Sequence, residues 1–173
     1  MENVNVKEYP SGKSRIFILD IIAVTAIFFT PAISHMLSLP IYLFEPMRII
    51  LVLAIVHTNK WNAYFLAFSL PLVSFLFSGH PVFPKVAIVA IELLFNVMLF
   101  YLIADKIRNS FFAMGLSIII SKAVYYILKF GLISFLLLDS TLISTPIYIQ
   151  IIMTVLLGSY IFVIDKTGKA AYK

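Results

Sequence analysis

The chain has 173 residues, of which 62% are hydrophobic and only 12% are charged, and its mean hydropathy is +1.04. A soluble domain is about half apolar and about a quarter charged, so the composition excludes an ordinary soluble protein and predicts an integral membrane protein. Because the chain has no cysteine, disulfides, thiolate nucleophiles and cysteine metal sites are also excluded.

Long apolar runs predict the secondary structure. A helix needs about 20 mainly apolar residues to cross roughly 30 Å of hydrocarbon, and a β-barrel would show short alternating segments instead. Continuous runs therefore predict an all-α membrane protein, a compact bundle of six transmembrane helices. The six candidate spans are 16–34, 39–56, 62–78, 84–104, 110–138 and 146–164. The fifth is too long for a perpendicular span, so it is expected to tilt, to end in the interface or to bend near Gly131.

Basic residues predict the orientation, because cytoplasmic loops carry an excess of lysine and arginine. With the N-terminus in the cytoplasm, nine of the 13 basic residues lie inside: Lys7, Lys13, Arg15, Lys60, Lys106, Arg108, Lys166, Lys169 and Lys173. This asymmetry predicts a cytoplasmic tail at 1–15, a six-helix domain at 16–164 and a basic cytoplasmic tail at 165–173. The net charge of +5 is then explained by topology in a cytoplasmic (inner) membrane, without a nucleic-acid partner.

Polar residues inside the apolar runs are the candidate site. A charge at the membrane centre costs at least about 2.5–3.5 kcal/mol, so such a residue usually faces a cavity or a partner. Counting about 1.5 Å of rise per residue from the outer helix ends puts Arg48, Glu92 and Lys122 at similar levels in the outer half. Asn96 lies one turn below Glu92. Tyr125 and Lys129 follow Lys122 along one helix face.

These residues predict a cavity for a polar or zwitterionic solute. Arg48 and Lys122 would bind an anionic group, Glu92 and Asn96 would bind donors, and Tyr125 would stack on a ring; Lys129 completes the predicted set. Glu45, three residues before Arg48, lies nearer the outer surface and is left out of it. The alternative interpretation is purely structural, because buried pairs of opposite charge can hold helices in register.

The outer turn between the third and fourth spans is a second feature. It carries His80 and Lys85 among prolines, and it is either a simple connection or a lid that adds a cation over the cavity. The three histidines have no metal-ligand spacing, so no metal or other cofactor is predicted. No catalytic motif or nucleotide-binding loop is found, so the chain is not expected to be an enzyme.

The layout resembles a known transporter family. Six short helices, and the central region PMRIILVLAIVHTNKWNAYFLAFSLPLVSFLFSGHPVFPKVAIVAIELLFNVMLFYLIADK, are similar to the substrate-binding S components of energy-coupling factor transporters. The resemblance implies uptake of a vitamin-like solute from outside, a pocket lined by the last three helices and outer loops, and closure by the loop SGHPVFP. It also implies a transmembrane coupling subunit and two ATP-hydrolysing subunits as partners.

In that family the first helix offers small residues in an AxxxA pattern to the coupling subunit. Here the candidate partner contacts are Ala23, Ala26 and Thr30, and only Ala26 and Thr30 have the four-residue spacing. A different class remains open: a non-enzymatic scaffold of the rod-shape MreD type, which has a similar size and helix count and needs no charged cavity. An accessory subunit of a membrane glycosyl- or lipid-processing complex is a third possibility.

Overall fold

The computed structural model describes residues 12–79, 81–107, 109–168, 170 and 172, and these form six α-helices and one 3₁₀ turn, with no strand among them. The elements in chain order are α1 (Lys13–Leu37), the 3₁₀ turn (Ile41–Phe44), α2 (Pro46–His57), α3 (Lys60–Ser78), α4 (Phe83–Ala104), α5 (Ser110–Ser134) and α6 (Ile147–Lys166). The prediction of an all-α protein is confirmed.

Five of the helices are long and apolar enough to cross a membrane, and the exception is α2. Its 12 residues extend only about 18 Å at the usual helical rise, which is less than the hydrocarbon thickness. The protein is therefore a multi-pass membrane protein, with five candidate spanning helices and one short helix among the described residues.

The second predicted span is not one helix, and the difference is explained by Pro46. A proline disfavours the α-helical conformation at the residue before it. Glu45 is not helical but has a left-handed conformation, with φ 53° and ψ 58°, and it separates the 3₁₀ turn from α2. Pro46 then occupies the first turn of α2, where its missing N–H leaves no hydrogen bond unmade. The continuous apolar run from 39 to 56 concealed this break.

The fifth predicted span was too long, as its length suggested. The helix α5 ends at Ser134 without a break at Gly131, and the chain then turns through Leu136 in a left-handed conformation. Phe135 and Leu136 are mostly exposed, whereas Leu138 is buried. The apolar residues after Ser134 therefore belong to the connection between α5 and α6.

The short helix α2 lies at the centre of the bundle and contacts α1, α3, α4 and α6. Five of its side chains, Leu51, Val52, Ala54, Ile55 and Val56, have no exposed surface. By contrast, α1 lies at the periphery and buries only Ala23 and Ile27. Packing of α4 on α3 and α5, and of α5 on α6, completes the bundle. Because α2 is surrounded by the other helices, it holds its first turn at a fixed position inside the protein.

Polar contacts close the bundle end that holds the N-terminus of α3 and the C-terminus of α6. Asn62 Nδ2 donates to Asp20 Oδ1 at 2.9 Å, which ties α3 to α1. Beyond α6, the hydroxyl of Tyr172 donates to Ser110 Oγ at 2.9 Å, and Ser110 donates to Asp165. Burial raises the pKa of Tyr172 to about 12. Tyr172 of the predicted C-terminal tail is thus packed on the bundle, whereas 169, 171 and 173 of this tail and 1–11 of the predicted N-terminal tail lie outside the described residues.

Candidate functional site

A cavity of about 760 Å³ opens at the opposite end of the bundle, where α1, α3 and α5 end and α4 begins. Its lining combines charged, hydroxyl-bearing and aromatic side chains with many apolar ones, namely four prolines and Ile27, Leu39, Met47, Val89 and Leu93. The lining residues that bear on its chemistry are Ser34, Tyr42, Glu45, Arg48, Ser74, Ser78, Lys85, Val89, Glu92, Leu93, Lys122, Tyr125, Tyr126, Lys129, Ser144 and Thr145. This volume lies within the range of about 300–1,000 Å³ that is typical of small-molecule sites.

Arg48 is the centre of the charged part of the site. It lies in the first turn of α2 and has only 3% of its surface exposed. Its Nη2 atom donates to Glu92 Oε1 of α4, and its Nη1 atom lies 2.6 Å from Glu45 Oε2. Among the described residues, its Nε atom has no hydrogen-bond acceptor. One guanidinium therefore joins α2 to α4 and retains a free donor.

Glu45 is shared between two cations. Besides Arg48, its carboxylate accepts a hydrogen bond from Lys122 Nζ of α5. Glu45 has a left-handed backbone conformation, which for a residue other than glycine costs a free energy of the order of 1–3 kcal/mol. This conformation lets the chain turn into α2 while the carboxylate lies between Arg48 and Lys122.

The four charges form one neutral cluster, which we call the charge cluster: Glu45, Arg48, Glu92 and Lys122. Side-chain exposure is only 3% for Arg48 and 9% for Glu92. Two desolvated ions of this kind are tolerated only when each is closely paired. Arg48, Glu92 and Lys122 were grouped by their predicted depth, and the structure brings all three to the cavity wall. It adds Glu45, whose signal was its three-residue spacing from Arg48.

Lys129 lies about two turns beyond Lys122 on α5 and has no exposed surface. Its ammonium group donates to the carbonyl oxygen of Leu142 at 2.9 Å and to Ser144 Oγ at 2.7 Å. It also lies 5.9 Å from the centre of the Tyr125 ring. Both lysine and tyrosine border the cavity, as the sequence predicted.

Tyr126 extends the aromatic wall next to Tyr125, with the two ring centres 5.4 Å apart in an edge-to-face arrangement. The hydroxyl oxygen of Tyr126 accepts a hydrogen bond from Gln150 Nε2 of α6 at 2.6 Å. The sequence analysis did not single out Tyr126 or Gln150. The only available signal was that Gln150 is a polar residue near the start of the last apolar run.

The predicted lid lies beside the cavity. Lys85, in the first turns of α4, is half-buried and borders the cavity together with Pro81. Lys85 has no hydrogen-bond or ion-pair partner among the described residues. His80 lies outside the described residues, so its predicted role in the lid stays a prediction.

Asn96 does not belong to the cavity lining. It is fully buried one turn below Glu92, and its Nδ2 atom donates to Ser117 Oγ of α5 at 3.0 Å. The cavity ends at the level of Leu93, so Asn96 joins two helices beneath its floor.

The three predicted partner contacts on α1 face different ways. Ala23 lies in the core with no exposed surface, so it offers no surface to a partner in this conformation. Ala26 is exposed on the outside of the bundle. Thr30 is half-buried, borders the cavity and donates its hydroxyl to the carbonyl oxygen of Ala26 at 2.7 Å.

Two further properties describe what the site can do. In the described part of the chain, no three histidine or acidic side chains are arranged to hold a metal ion. The described lining comes from α1 to α5 and from the segments that connect the helices, and α6 contributes none of it. The family resemblance had implied a pocket lined by the last three helices and outer loops, so the observed lining differs from that expectation. The arrangement suits non-covalent binding of a solute with charged and apolar parts.

Fold and site together define a multi-pass membrane protein with a mainly apolar cavity, bordered by charged and aromatic side chains, at one end of a helical bundle. No family model matches the sequence, and comparison with curated proteins and with solved structures found no significant match.

Proposed function

We propose that the protein binds a small solute in this cavity, as the substrate-binding subunit of an uptake transporter of the energy-coupling factor type. One observation carries the proposal: three ionisable side chains from three different helices, Arg48, Glu92 and Lys122, border a single cavity of suitable size. Burying charges is costly, and a solute site gives a reason to retain them beside a hollow.

The unused hydrogen-bonding capacity of the site supports binding as well. The Nε atom of Arg48 is buried and has no acceptor among the described residues. Buried donors are nearly always paired in proteins, and a small shift of the Arg48 side chain would bring this unpaired donor to an oxygen of a solute in the cavity. The hydroxyl groups of Ser34 and Ser144 and the ring of Tyr125 add polar and stacking contacts around the same space.

The proposed topology has six crossings with both termini in the cytoplasm. In this arrangement the 3₁₀ turn and α2 make the second crossing, within a ring of longer helices. The excess of basic residues at the opposite end supports a cavity that faces outward. Transport would then need a transmembrane coupling subunit and ATP-hydrolysing subunits, because the chain carries no nucleotide-binding loop. The exposed face of α1 around Ala26 is the proposed contact with the coupling subunit.

A scaffold of the MreD type is the second candidate, and one observation favours it. Every charge of the cluster has a partner inside the cluster, since Arg48 contacts both carboxylates and Lys122 contacts Glu45. Such pairing would also hold α2, α4 and α5 in register without any solute. The two candidates differ in whether a small molecule occupies the cavity.

Native mass spectrometry of the protein purified in mild detergent tests the proposal. The wild type is compared with the double variant Glu92→Gln, Lys122→Met, which removes one charge of each sign and leaves Arg48 paired with Glu45. Asp20→Asn, at the opposite end, is the matched control. We expect a small molecule to co-purify with the wild type and the control, and to be absent from the folded double variant. If all three instead carry no small molecule and retain the same partner proteins, the scaffold replaces the transporter subunit.

A further inference from the structure

The charges around the cavity do not balance, although those of the charge cluster do. Six charged side chains border the cavity, of which four are basic and two acidic, so the lining has an excess of two positive charges when His35 is counted as neutral. The cluster accounts for two cations and both carboxylates. The excess therefore lies on Lys85 and Lys129.

These two lysines, one on α4 and one on α5, border the same cavity. Neither has a carboxylate within ion-pair distance among the described residues. Lys129 is fully buried, and its described partners are a carbonyl and a hydroxyl, which leave its charge uncompensated. A buried cation normally has a counter-charge, and here the cavity is the space in which one can lie.

Lys129 also retains one donor, which a shift of its fully buried side chain would bring to a solute in the cavity. An ammonium group has three donors, and two of them are used by Leu142 and Ser144. The ring of Tyr125 lies 5.9 Å from the Lys129 ammonium group, and Val89 follows Lys85 by about one turn of α4; both side chains border the cavity. The positive and the apolar parts of the lining are thus adjacent.

We infer that Lys85 and Lys129 form the subsite for the anionic group of the solute, and that the solute is a small organic anion with an aromatic or apolar body. The inference rests on the proposed function and narrows the class of solute to organic anions. It also differs from the expectation that Arg48 and Lys122 bind the anion, because those two cations are already neutralised by Glu45 and Glu92.

A series of probes with the same ring and different charge tests the inference: benzoate, benzamide and benzylammonium. Each is added at millimolar concentration and low ionic strength to the full-length protein in lipid nanodiscs, and affinity is obtained from the concentration dependence of the unfolding temperature. We expect benzoate to bind about tenfold to a hundredfold more tightly than benzamide, as for hydrogen bonds to a charged group, and benzylammonium to bind most weakly.

Two lysine variants test whether the preference for benzoate over benzamide comes from the subsite formed by Lys85 and Lys129. Lys85→Gln should reduce the preference for benzoate over benzamide by about tenfold or more, with benzamide affinity unchanged. Lys85 is half-buried and makes no described contact, so this variant should fold even if changes at the buried Lys129 do not. Lys60→Gln, at the opposite end of the bundle, is the matched control and should keep the full preference.

The outcomes separate the inference from the proposed function. If benzamide or benzylammonium binds as tightly as benzoate, or if Lys85→Gln leaves the preference intact, the anionic subsite is refuted and solute binding stands. If none of the three probes raises the unfolding temperature, the inference is also overturned. The proposed function is then decided by the native mass spectrum, which does not depend on the charge of the solute.

Discussion

Removal of Arg48 alone should destabilise the protein far more than removal of Arg48 together with its partner. The variant Arg48→Met leaves the carboxylate of Glu92 at 9% side-chain exposure without its hydrogen-bond donor. It also takes one of the two cations from Glu45, so the charge cluster changes from neutral to a net charge of minus one. Little water reaches Glu92 to compensate.

The size of the effect follows from the burial. An ion pair at about 4 Å in a medium of effective dielectric constant about 20 is worth about 4 kcal/mol. Removing one partner of a buried pair accordingly costs about 3–5 kcal/mol, whereas replacing both by apolar side chains is often nearly neutral. We therefore expect Arg48→Met to lower the free energy of unfolding by about 3–5 kcal/mol. Adding Glu92→Met should restore at least about 2 kcal/mol of this loss.

Reversible unfolding in mixed micelles with an increasing fraction of sodium dodecyl sulfate, followed by circular dichroism, measures these differences. Asp20→Asn is the control for loss of a carboxylate at the opposite end. The two single variants and the double variant form a thermodynamic cycle for Arg48 and Glu92. If the losses of the single variants add to within about 0.5 kcal/mol, the two side chains are not coupled and the reasoning is refuted.

Two other changes test the boundaries of the site and the packing beneath it. Asn96→Ala should leave the affinity for the solute and the probes unchanged, because the Asn96 amide donates to Ser117 below the cavity. Loss of this hydrogen bond should lower the free energy of unfolding by about 1–3 kcal/mol. A loss of affinity in a stable variant would show that Asn96 contributes to the binding site. Gly158→Ala should be at least about 1 kcal/mol less stable than Gly115→Ala in the same unfolding assay, because only the first has Phe111 atoms at 3.1–3.3 Å from the added Cβ. Gly115 has open space there, so its replacement should gain up to about 1 kcal/mol from helix propensity, and equal stabilities would contradict the packing described.

Most of the fold follows from hydrophobicity alone. Runs of about 20 apolar residues predicted α1, α3, α4, α5 and α6, because an apolar helix and its polar flanks are local properties of the chain. The second predicted span was wrong as a single helix, because the chain breaks at Glu45 before Pro46. The short helix α2 is apolar because it is surrounded by other helices, and a buried helix and a lipid-facing one have the same composition.

The sequence predicted the depth of the site residues along their helices, but not where the cavity lies relative to each side chain. Helical rise correctly grouped Arg48, Glu92 and Lys122, since depth depends only on position along a helix. Depth does not say where a cavity ends, so Asn96 was included although it lies below the floor. Glu45 was left out because a regular helix put it near the surface. The left-handed turn before Pro46, which brings its carboxylate between two cations, could not be read from an apolar run.

Reactivity of single cysteines tests most directly whether the charge cluster borders a water-filled cavity open to the outside. The chain has no cysteine, so each introduced thiol is the sole target. Val89 borders the cavity, whereas Ile91, on the same helix, is 42% exposed on the bundle surface and outside the lining. Val89→Cys and Ile91→Cys are compared in intact cells with a membrane-impermeant, sulfonate-bearing methanethiosulfonate reagent.

We expect rapid labelling of Val89→Cys from the outside, and little labelling of Ile91→Cys, because a charged reagent does not enter hydrocarbon. If Val89→Cys stays unlabelled in intact cells, or reacts only after the membrane is permeabilised, the cavity is not an outward-facing aqueous site and the account is contradicted.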